Sequence, residues 1–231
     1  MVIALILSGG IGKRLGGDIP KQYITVKGRM VITRCIFKML ECEAIDAFQI
    51  VADEKWHDKI LKELEKDGFD TAMFRGFSEP GKTRQLSILN GLYDIAKYAS
   101  EKDTVIIHDA ARPNVSKALL DACVEECKLY DGVIPVLPMK DTVYLSNDGT
   151  SISRVIDRSR IFAGQAPEAF KLGKYLKANE ALLPEDILHI NGTTEPAVLA
   201  GLNVCMIHGD ETNYKITTKE DMGRYVSSVK K

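Results

Sequence analysis

The apolar residues of this chain fall into short continuous runs that alternate with amphipathic segments. The first run, Val2–Leu7, is followed by Ser8 and then by glycines, and another run lies at 104–107. Short apolar runs bounded by polar turns are typical of strands buried on both faces, whereas apolar residues three and four apart, as in Val31–Leu40, indicate a helix. The repeated alternation predicts an α/β fold: a Rossmann-like, mostly parallel twisted sheet with helices on both faces.

The same patterns predict the remaining strands and helices. Further strands are predicted at 48–52, 71–74, 132–136 and 204–207, and further helices at 56–64, from 84, at 115–129, at 171–182, at 194–200 and from 219. The stretch 76–81 is predicted as turns because it is rich in glycine and proline.

The alternation of strands and helices is interrupted over 141–156. Two segments with period-two apolar residues flank Asp148-Gly149 there, which indicates a β-hairpin. An isolated hairpin is only marginally stable in water. We therefore predict a protruding arm at about 139–158 that is supported by a second subunit, in a homodimer.

The length and net charge of the chain limit the classes of function that it can have. A chain of 231 residues fits one domain, 1–231, and a net charge of −1 gives no support for a nucleic-acid partner. Its five cysteines are odd in number and form no CxxC pair, which predicts thiols in a reducing compartment. No apolar run approaches membrane-spanning length, so the sequence predicts a cytoplasmic protein without a membrane partner.

The first loop holds candidate chemistry. Glycines at 9, 10 and 12 follow the first strand, with Arg14 and Lys21 inside and just beyond the loop. Glycines let backbone amides approach a ligand closely, and two cations beside them suit a polyphosphate.

Two other glycine motifs fit this loop less well. A Walker loop ends in Gly-Lys-Ser or Gly-Lys-Thr, whereas this loop has Gly12-Lys13-Arg14. A dinucleotide fingerprint requires a third glycine that is missing in register. Asp53 does follow the next strand, as that fingerprint requires, so a dinucleotide site stays open at this point.

Several charged segments follow the predicted strands. The glycine loop, Arg84 and the segment 109–112 all lie at or just after strand ends. In parallel sheets ligands bind beyond the carboxyl ends of the strands. We therefore expect these segments to form one crevice.

Short motifs in a fixed order carry a family resemblance. They are Gly9-Gly10-x-Gly12-x-Arg14, Pro20-Lys21-Gln22-Tyr23, Arg84-x-x-Ser87, His108-Asp109-Ala110-Ala111-Arg112-Pro113, Asp141-Thr142, Asp157-Arg158-Ser159 and Asn213-Tyr214-Lys215-Ile216-Thr217. Over nearly its full length the chain resembles the cytidylyltransferases that act on 2-C-methyl-D-erythritol 4-phosphate or ribitol 5-phosphate. The resemblance implies a nucleotide-diphospho-sugar transferase-like fold.

The resemblance also implies a reaction and a site. CMP would pass from CTP to the phosphate of a sugar alcohol, releasing pyrophosphate, and Mg²⁺ or another divalent cation would accompany the CTP. The implied catalytic residues are Arg14, Lys21 and Lys215. The implied nucleotide-binding residues are Ser8, Gly9, Gly10, Gly12, Gly81, Arg84, Ser87 and Asp109. The implied acceptor-binding residues are Asp109, Arg112, Thr142, Arg158 and Thr217, with Thr142 and Arg158 reaching the acceptor of the partner subunit.

Physical chemistry supports a site of cations. The second pKa of a phosphate monoester lies near 6, so the acceptor is largely ionised at neutral pH and needs no general base. The obstacle is the attack of one anion on another, which positioned cations relieve. Arg14 and Lys21 suit this role, one as a planar fork and one as a point charge, and Lys215 can supply a third cation from the far side. His108, beside an apolar strand, is interpreted as structural.

Some alternatives stay open. Asp109 could cap a local turn or bind metal through the nucleotide, and Arg158 could pair with Asp157 or Asp141 to rigidify the arm. Gln165-Ala166-Pro167-Glu168 and the stretch 191–196 depart from the family pattern of Gln-Thr-Pro-Gln and Thr-Asp-Asp or Thr-Asp-Glu. The departures leave the acceptor open, although the glycine loop favours the ribitol-phosphate group.

Two further functions compete with a cytidylyltransferase. One is a nucleotidyltransferase of similar fold that uses another base. The other is a regulatory module that binds a nucleotide without turnover.

Overall fold

A computed structural model describes residues 1–10, 19–66, 68–69 and 71–229. Gly12 and Arg14, in the predicted glycine loop, lie outside the described residues. Among the described helices, none is long and apolar enough to span a bilayer.

Strands and helices alternate along the described chain. The strands are β1 (Val2–Leu7), β2 (Thr25–Val26), β3 (Arg29–Met30), β4 (Ala47–Val51), β5 (Phe74–Ser78), β6 (Thr104–Asp109), β7 (Gly132–Pro138), β8 (Val143–Leu145), β9 (Arg154–Ile156), β10 (Phe162–Gly164), β11 (Glu168–Lys171) and β12 (Val204–His208). The helices are α1 (Val31–Leu40), α2 (His57–Lys66), α3 (Arg84–Ala96), α4 (Lys117–Leu129), α5 (Leu172–Glu180), α6 (Glu195–Leu199) and α7 (Lys219–Ser228).

One eight-stranded sheet organises the described chain, in the order β10-β7-β11-β6-β1-β4-β5, with β12 also paired to β7. The pairs β1–β4, β1–β6, β4–β5 and β7–β12 are parallel. Strands β10 and β11 run antiparallel to their neighbours. The predicted mostly parallel sheet is confirmed.

Each face of the sheet is covered by helices. On β1, Ala4 and Ile6 pack with apolar side chains of α1, α2 and α4, while Ile3 and Leu5 pack with those of α3, α5 and α6. This alternation explains why β1 is apolar at every position, since both of its faces are buried. A Cβ added at Gly91 of α3 would come within 2.5 Å of the Leu5 side chain, so this glycine lets α3 lie close to the sheet.

The predicted third strand, at 71–74, is wrong in its bounds. Thr71–Met73 is a 3₁₀ turn, and β5 extends from Phe74 to Ser78. Its pairing with β4 shifts register by one residue between Phe74 and Phe77, and Gly76 in between has a φ of +116°. The glycine therefore marks a bulge within a strand rather than the predicted turn.

The hairpin arm is present in the structure. Strands β8 and β9 pair antiparallel with each other, outside the main sheet. At its tip, Asp148 accepts hydrogen bonds from the backbone N–H groups of Thr150 and Ser151 at 2.8 Å, and Gly149 has a φ of +74°. The sequence analysis missed β2, β3, β10 and β11, which are too short to show periodicity.

Candidate active site

A cavity of about 500 Å³ lies at the carboxyl ends of the parallel strands. Leu7 at the end of β1 is in register with Val51 of β4 and Asp109 of β6, so the three strand ends meet at one edge. The cavity is lined by Leu7, Gly9, Gly10, Lys21, Gln22, Gly81, Lys82, Thr83, Arg84, Ser87, Asp109, Ala111, Lys215 and Thr217. The expected crevice therefore exists, and it brings together nine of the residues that the sequence predicted for the site: Gly9, Gly10, Lys21, Gly81, Arg84, Ser87, Asp109, Lys215 and Thr217.

Asp109 lies at the centre of a cluster of cations. Its carboxylate is 2.9 Å from Lys215 Nζ, 3.1 Å from Arg84 Nη2 and 3.5 Å from Arg112 Nε. Burial alone would raise the pKa of Asp109, but the charges of Arg84, Lys215 and Arg112 outweigh burial and hold that pKa far below its usual range. The carboxylate is thus ionised at any working pH and fixes the position of all three cations.

The start of α3 presents Arg84 to the cavity. The Thr83 hydroxyl caps the helix by accepting from the Leu86 N–H at 3.2 Å. The Ser87 hydroxyl accepts from the Gly81 N–H at 2.9 Å and donates to the Thr83 carbonyl at 2.9 Å. A Cβ at Gly81 would come within 2.4 Å of the Leu86 Cβ, so this turn requires glycine. The Ser87 hydroxyl therefore shapes the turn that the sequence assigned to nucleotide binding.

Ser8 does not line the cavity. Its side chain is buried and donates a hydrogen bond to the Tyr23 hydroxyl at 2.8 Å, while Tyr23 donates to the Ser8 carbonyl at 2.9 Å. The Ser8 side chain thus makes its contact in the interior, and the role of Ser8 in nucleotide binding stays a prediction.

Gln22, which the sequence reading assigned no role, joins the beginning of the glycine loop to the next turn. Its buried Nε2 donates to the carbonyl oxygens of Ser8 and Gly10, at 2.7 Å each. These two hydrogen bonds hold the end of β1 in place, where the glycine loop begins. The only sequence signal for Gln22 was its place in the Pro20-Lys21-Gln22-Tyr23 motif. The sequence also gave no signal for Lys82 and Thr83, which line the cavity, except that they precede Arg84.

We predict that Gln22→Glu weakens CTP binding about tenfold. A carboxylate cannot donate to two carbonyl oxygens. Losing two hydrogen bonds of about 1 kcal/mol each is enough for a tenfold change in affinity, which corresponds to about 1.4 kcal/mol. Titration calorimetry with CTP and Mg²⁺ measures the affinity, and Asn147→Asp, a matched exchange in the exposed hairpin turn, should leave it unchanged. Wild-type affinity in Gln22→Glu would show that the loop keeps its shape without this amide.

Arg112 lies behind the cavity instead of lining it. Its side chain is 12% exposed and donates to the Asn213 carbonyl at 2.7 Å in addition to contacting Asp109. Arg112 thereby anchors the segment that carries Lys215. The predicted contact of Arg112 with the acceptor would have to come from this small exposed part.

Thr142 and Arg158 also lie outside the cavity of their own chain. Both are exposed residues at the base of the arm, and Arg158 donates to the Lys140 carbonyl. Asp157 instead accepts from the Ser159 N–H at 3.0 Å. The suggested pairing of Arg158 with Asp157 or Asp141 is therefore replaced by a bond to the backbone.

His108 is fully buried beneath the site. Its Nε2 lies 3.1 Å from the Arg112 carbonyl, and burial lowers its pKa to about 4. The ring is therefore neutral at physiological pH, and Nε2 donates to the carbonyl. This geometry suits the structural role that the sequence suggested.

The family model for 2-C-methyl-D-erythritol 4-phosphate cytidylyltransferase, IspD, matches residues 2–228. The chain belongs to this family.

Relatives in this cytidylyltransferase family are named for two different acceptors. The ribitol-5-phosphate cytidylyltransferase of Streptococcus agalactiae serotype V is 30% identical, over 96% of this chain and 92% of its own length. The 2-C-methyl-D-erythritol 4-phosphate cytidylyltransferase of Syntrophotalea carbinolica is 34% identical, over 96% and 93%. That of Thermosipho melanesiensis is 31% identical, over 100% and 98%. The chain is thus an enzyme, a CTP-dependent cytidylyltransferase.

Solved structures agree on the fold. The 4-diphosphocytidyl-2C-methyl-D-erythritol synthase of Anaerococcus prevotii is similar with a TM-score of 0.81 and 25% identity, over 98% of this chain and 96% of that one. The Francisella tularensis IspD structure has a TM-score of 0.82 at 22% identity, which bears on the fold alone.

The residues that line the cavity of this cytidylyltransferase can be compared with those that a divalent metal ion requires. Among the described lining residues Asp109 is the one acidic side chain, and the described chain holds no cluster of three metal-ligating residues. Mg²⁺ commonly binds through one or two carboxylates together with substrate phosphates. The cavity is therefore compatible with a Mg²⁺ ion that arrives with the triphosphate and is held mainly by its phosphates, since Asp109, the one described carboxylate of the lining, is already paired with cations.

Proposed function

We propose that the enzyme transfers CMP from CTP to the phosphate of ribitol 5-phosphate or 2-C-methyl-D-erythritol 4-phosphate, giving pyrophosphate and a CDP-polyol. The observation that carries this proposal is the composition of the cavity. Lys21, Lys82, Arg84 and Lys215 all line it, against a single described carboxylate that is already paired. Such a surplus of positive charge suits a triphosphate and a phosphate monoester bound side by side.

The parts of the cavity suit different parts of the substrates. Gly9, Gly10 and Lys21, with Arg14 and Gly12 of the same loop, would hold the triphosphate. The turn from Gly81 to Ser87 would hold cytosine and ribose, and Asp109, Lys215 and Thr217 would face the acceptor. This assignment follows the family resemblance, and the shared cavity supports it.

Chemistry at this site requires charge stabilisation and alignment. The ionised acceptor phosphate attacks the α-phosphorus of CTP, and the bond to the pyrophosphate oxygen breaks. Lys21 and Lys215 reduce the repulsion between the reacting anions and stabilise the charge that develops. Asp109 keeps Lys215 in place, so its role is to position the cation rather than to accept a proton. Bound Mg²⁺, held mainly by the phosphates, would supply additional positive charge.

The enzyme would act as a homodimer joined through the arms, with Thr142 and Arg158 completing the acceptor pocket of the neighbouring subunit. The arm has exposed apolar side chains and pairs only with itself among the described strands. Tyr144, Leu145, Ile152 and Val155 are 54%, 42%, 66% and 60% exposed. A second subunit would bury this surface. We place the reaction in the cytoplasm, whose reducing conditions suit the five unpaired cysteines.

Pyrophosphate release tests the reaction and its acceptor. The purified enzyme with CTP and Mg²⁺ should release pyrophosphate with one of the two polyol phosphates and much less with the other. Replacing CTP by ATP, GTP or UTP should abolish release. The proposed acceptors are wrong if CTP supports no release with either compound although it binds to the enzyme.

A further inference from the structure

Lys215 lies in the loop between β12 and α7, at 209–218, which we call the Lys215 loop. Because this segment belongs to no helix or strand, its position depends on contacts with other parts of the chain. On one side the Ile216 N–H donates to the Ala111 carbonyl at 2.9 Å, and Arg112 donates to a carbonyl of the same loop. The segment that follows β6 therefore holds the first side of the Lys215 loop.

Gln165 holds the second side of the Lys215 loop. It directly follows β10, and its backbone N–H donates to the Pro135 carbonyl of β7 at 2.8 Å, which fixes it on the sheet. Its side-chain Nε2 donates to the Asp210 carbonyl at 3.0 Å, and its Oε1 accepts from the Asp210 N–H at 3.0 Å. One amide thus exchanges two hydrogen bonds with the backbone of Asp210, as two residues do in an antiparallel strand pair.

Asn213 joins the two sides of the loop. Its fully buried side chain donates from Nδ2 to the carbonyl of Ala166, the residue after Gln165, at 2.7 Å. Its own carbonyl accepts from Arg112 Nη1 at 2.7 Å. The Lys215 loop is therefore bound to the sheet at two positions, 210 and 213, shortly before the lysine.

The ion pair with Asp109 does not by itself place Lys215. Asp109 lies 2.9 Å from Lys215 Nζ and so fixes the tip of the side chain. A lysine has a flexible four-carbon stem, so the backbone could move while this contact is kept. Gln165 is 7% exposed and does not line the cavity, so it acts on the backbone of the loop and not on a ligand.

We propose that Gln165 is a positioning residue for cytidylyl transfer, which holds the Lys215 loop so that Lys215 faces the acceptor phosphate. The inference rests on the proposed function, since it assigns a role within that reaction. A catalytic contact displaced by about 1 Å can cost 10²-fold in rate. Holding both the backbone and the tip of Lys215 therefore affects turnover and not only stability.

The role of Gln165 is tested by Gln165→Met, which keeps the length of the side chain and removes both hydrogen bonds. We expect kcat to fall at least about tenfold, with the KM for CTP close to that of the wild type. Gln49→Met is the matched control, because Gln49 is a buried glutamine of β4 that donates to the Ser78 hydroxyl at 3.0 Å. It should lower the melting temperature and leave kcat unchanged. Unchanged kcat in Gln165→Met would overturn the proposal.

Hydrogen exchange tests the same variants without any substrate. Backbone amides of residues 210–217 should exchange faster in Gln165→Met than in the wild type or in Gln49→Met. Equal exchange would overturn the proposal, whereas wrong acceptors would appear separately, as an inactive wild type. If Gln165→Met does not fold, Asn213→Ala, which removes the bond to Ala166, replaces it under the same two criteria.

Mixing of subunits shows which site Gln165 serves, since it closely follows the arm. If Gln165 holds the loop of its own chain, a dimer of Gln165→Met with Lys21→Ala has one defect in each site. The mixture should then show no more activity than the average of the two variants. Recovery above that average would overturn the proposal, because it would mean that Gln165 acts on the partner through the arm.

Discussion

Lys21→Ala should lower turnover by about 10²–10³-fold, which corresponds to roughly 2.7–4 kcal/mol of lost transition-state stabilisation. Lys21 lines the cavity from the 3₁₀ turn Lys21–Tyr23, directly beyond the glycine loop. A lysine there is a point charge that would lie beside the proposed triphosphate, where negative charge develops as pyrophosphate leaves. Binding of the acceptor should weaken much less than turnover, because the proposed acceptor position is on the side of Lys215.

The assay is single-turnover and steady-state pyrophosphate release, with acceptor affinity measured in parallel. Lys128→Ala is the matched control, since Lys128 is an exposed lysine that pairs with Glu125 on the surface of α4. It should keep full activity. Near-normal turnover in Lys21→Ala would show that Lys21 is not a catalytic residue. Arg14→Ala is expected to resemble Lys21→Ala, because the family resemblance assigns both cations to the triphosphate.

Two inactive variants should recover activity when their subunits mix. In a dimer of Arg158→Ala with Lys21→Ala, an arm that serves the partner leaves one site with both defects and the other with neither. Random exchange makes half of the dimers mixed, and each has one intact site of two. The mixture should therefore reach about a quarter of wild-type activity, whereas each variant alone stays nearly inactive.

The position of Arg158 makes this experiment decisive. Arg158 is exposed, does not line the cavity of its own chain, and donates to the Lys140 carbonyl at the base of the arm. Exchange of subunits is verified with two affinity tags before activity is measured. Failure to recover after verified exchange would mean that Arg158 serves its own subunit or only stiffens the arm. A wild-type chain that stays monomeric would overturn the proposed dimer itself.

The segments that depart from the family pattern prove to be neighbours in space. Glu168, from the first segment, accepts a hydrogen bond from Thr194, in the second. Both segments lie beside Arg84, which Thr193 contacts. The sequence showed these as two separate differences, and the structure shows one polar cluster behind the cavity. The acceptor specificity of this enzyme is therefore best examined at this cluster.

Local patterns were sufficient for much of the fold. The apolar run of β1 and the helical spacing of α1 predicted both elements with the bounds that the structure has, because each element buries side chains in a way that its own sequence records. The arm was predicted from its Asp148-Gly149 turn. The motifs also predicted most residues of the cavity, since these follow the ends of buried strands.

Tertiary structure alone decided the contacts between distant segments. Asp109 contacts Arg84 and Lys215, which come from distant parts of the chain, and no local pattern shows which distant cations a carboxylate will meet. The same reason applies to Ser8, whose hydroxyl faces Tyr23, and to Glu168, whose burial depends on the strands beside it. Sequence periodicity reports which face of an element is buried, whereas the partners of each polar group depend on how the elements pack together.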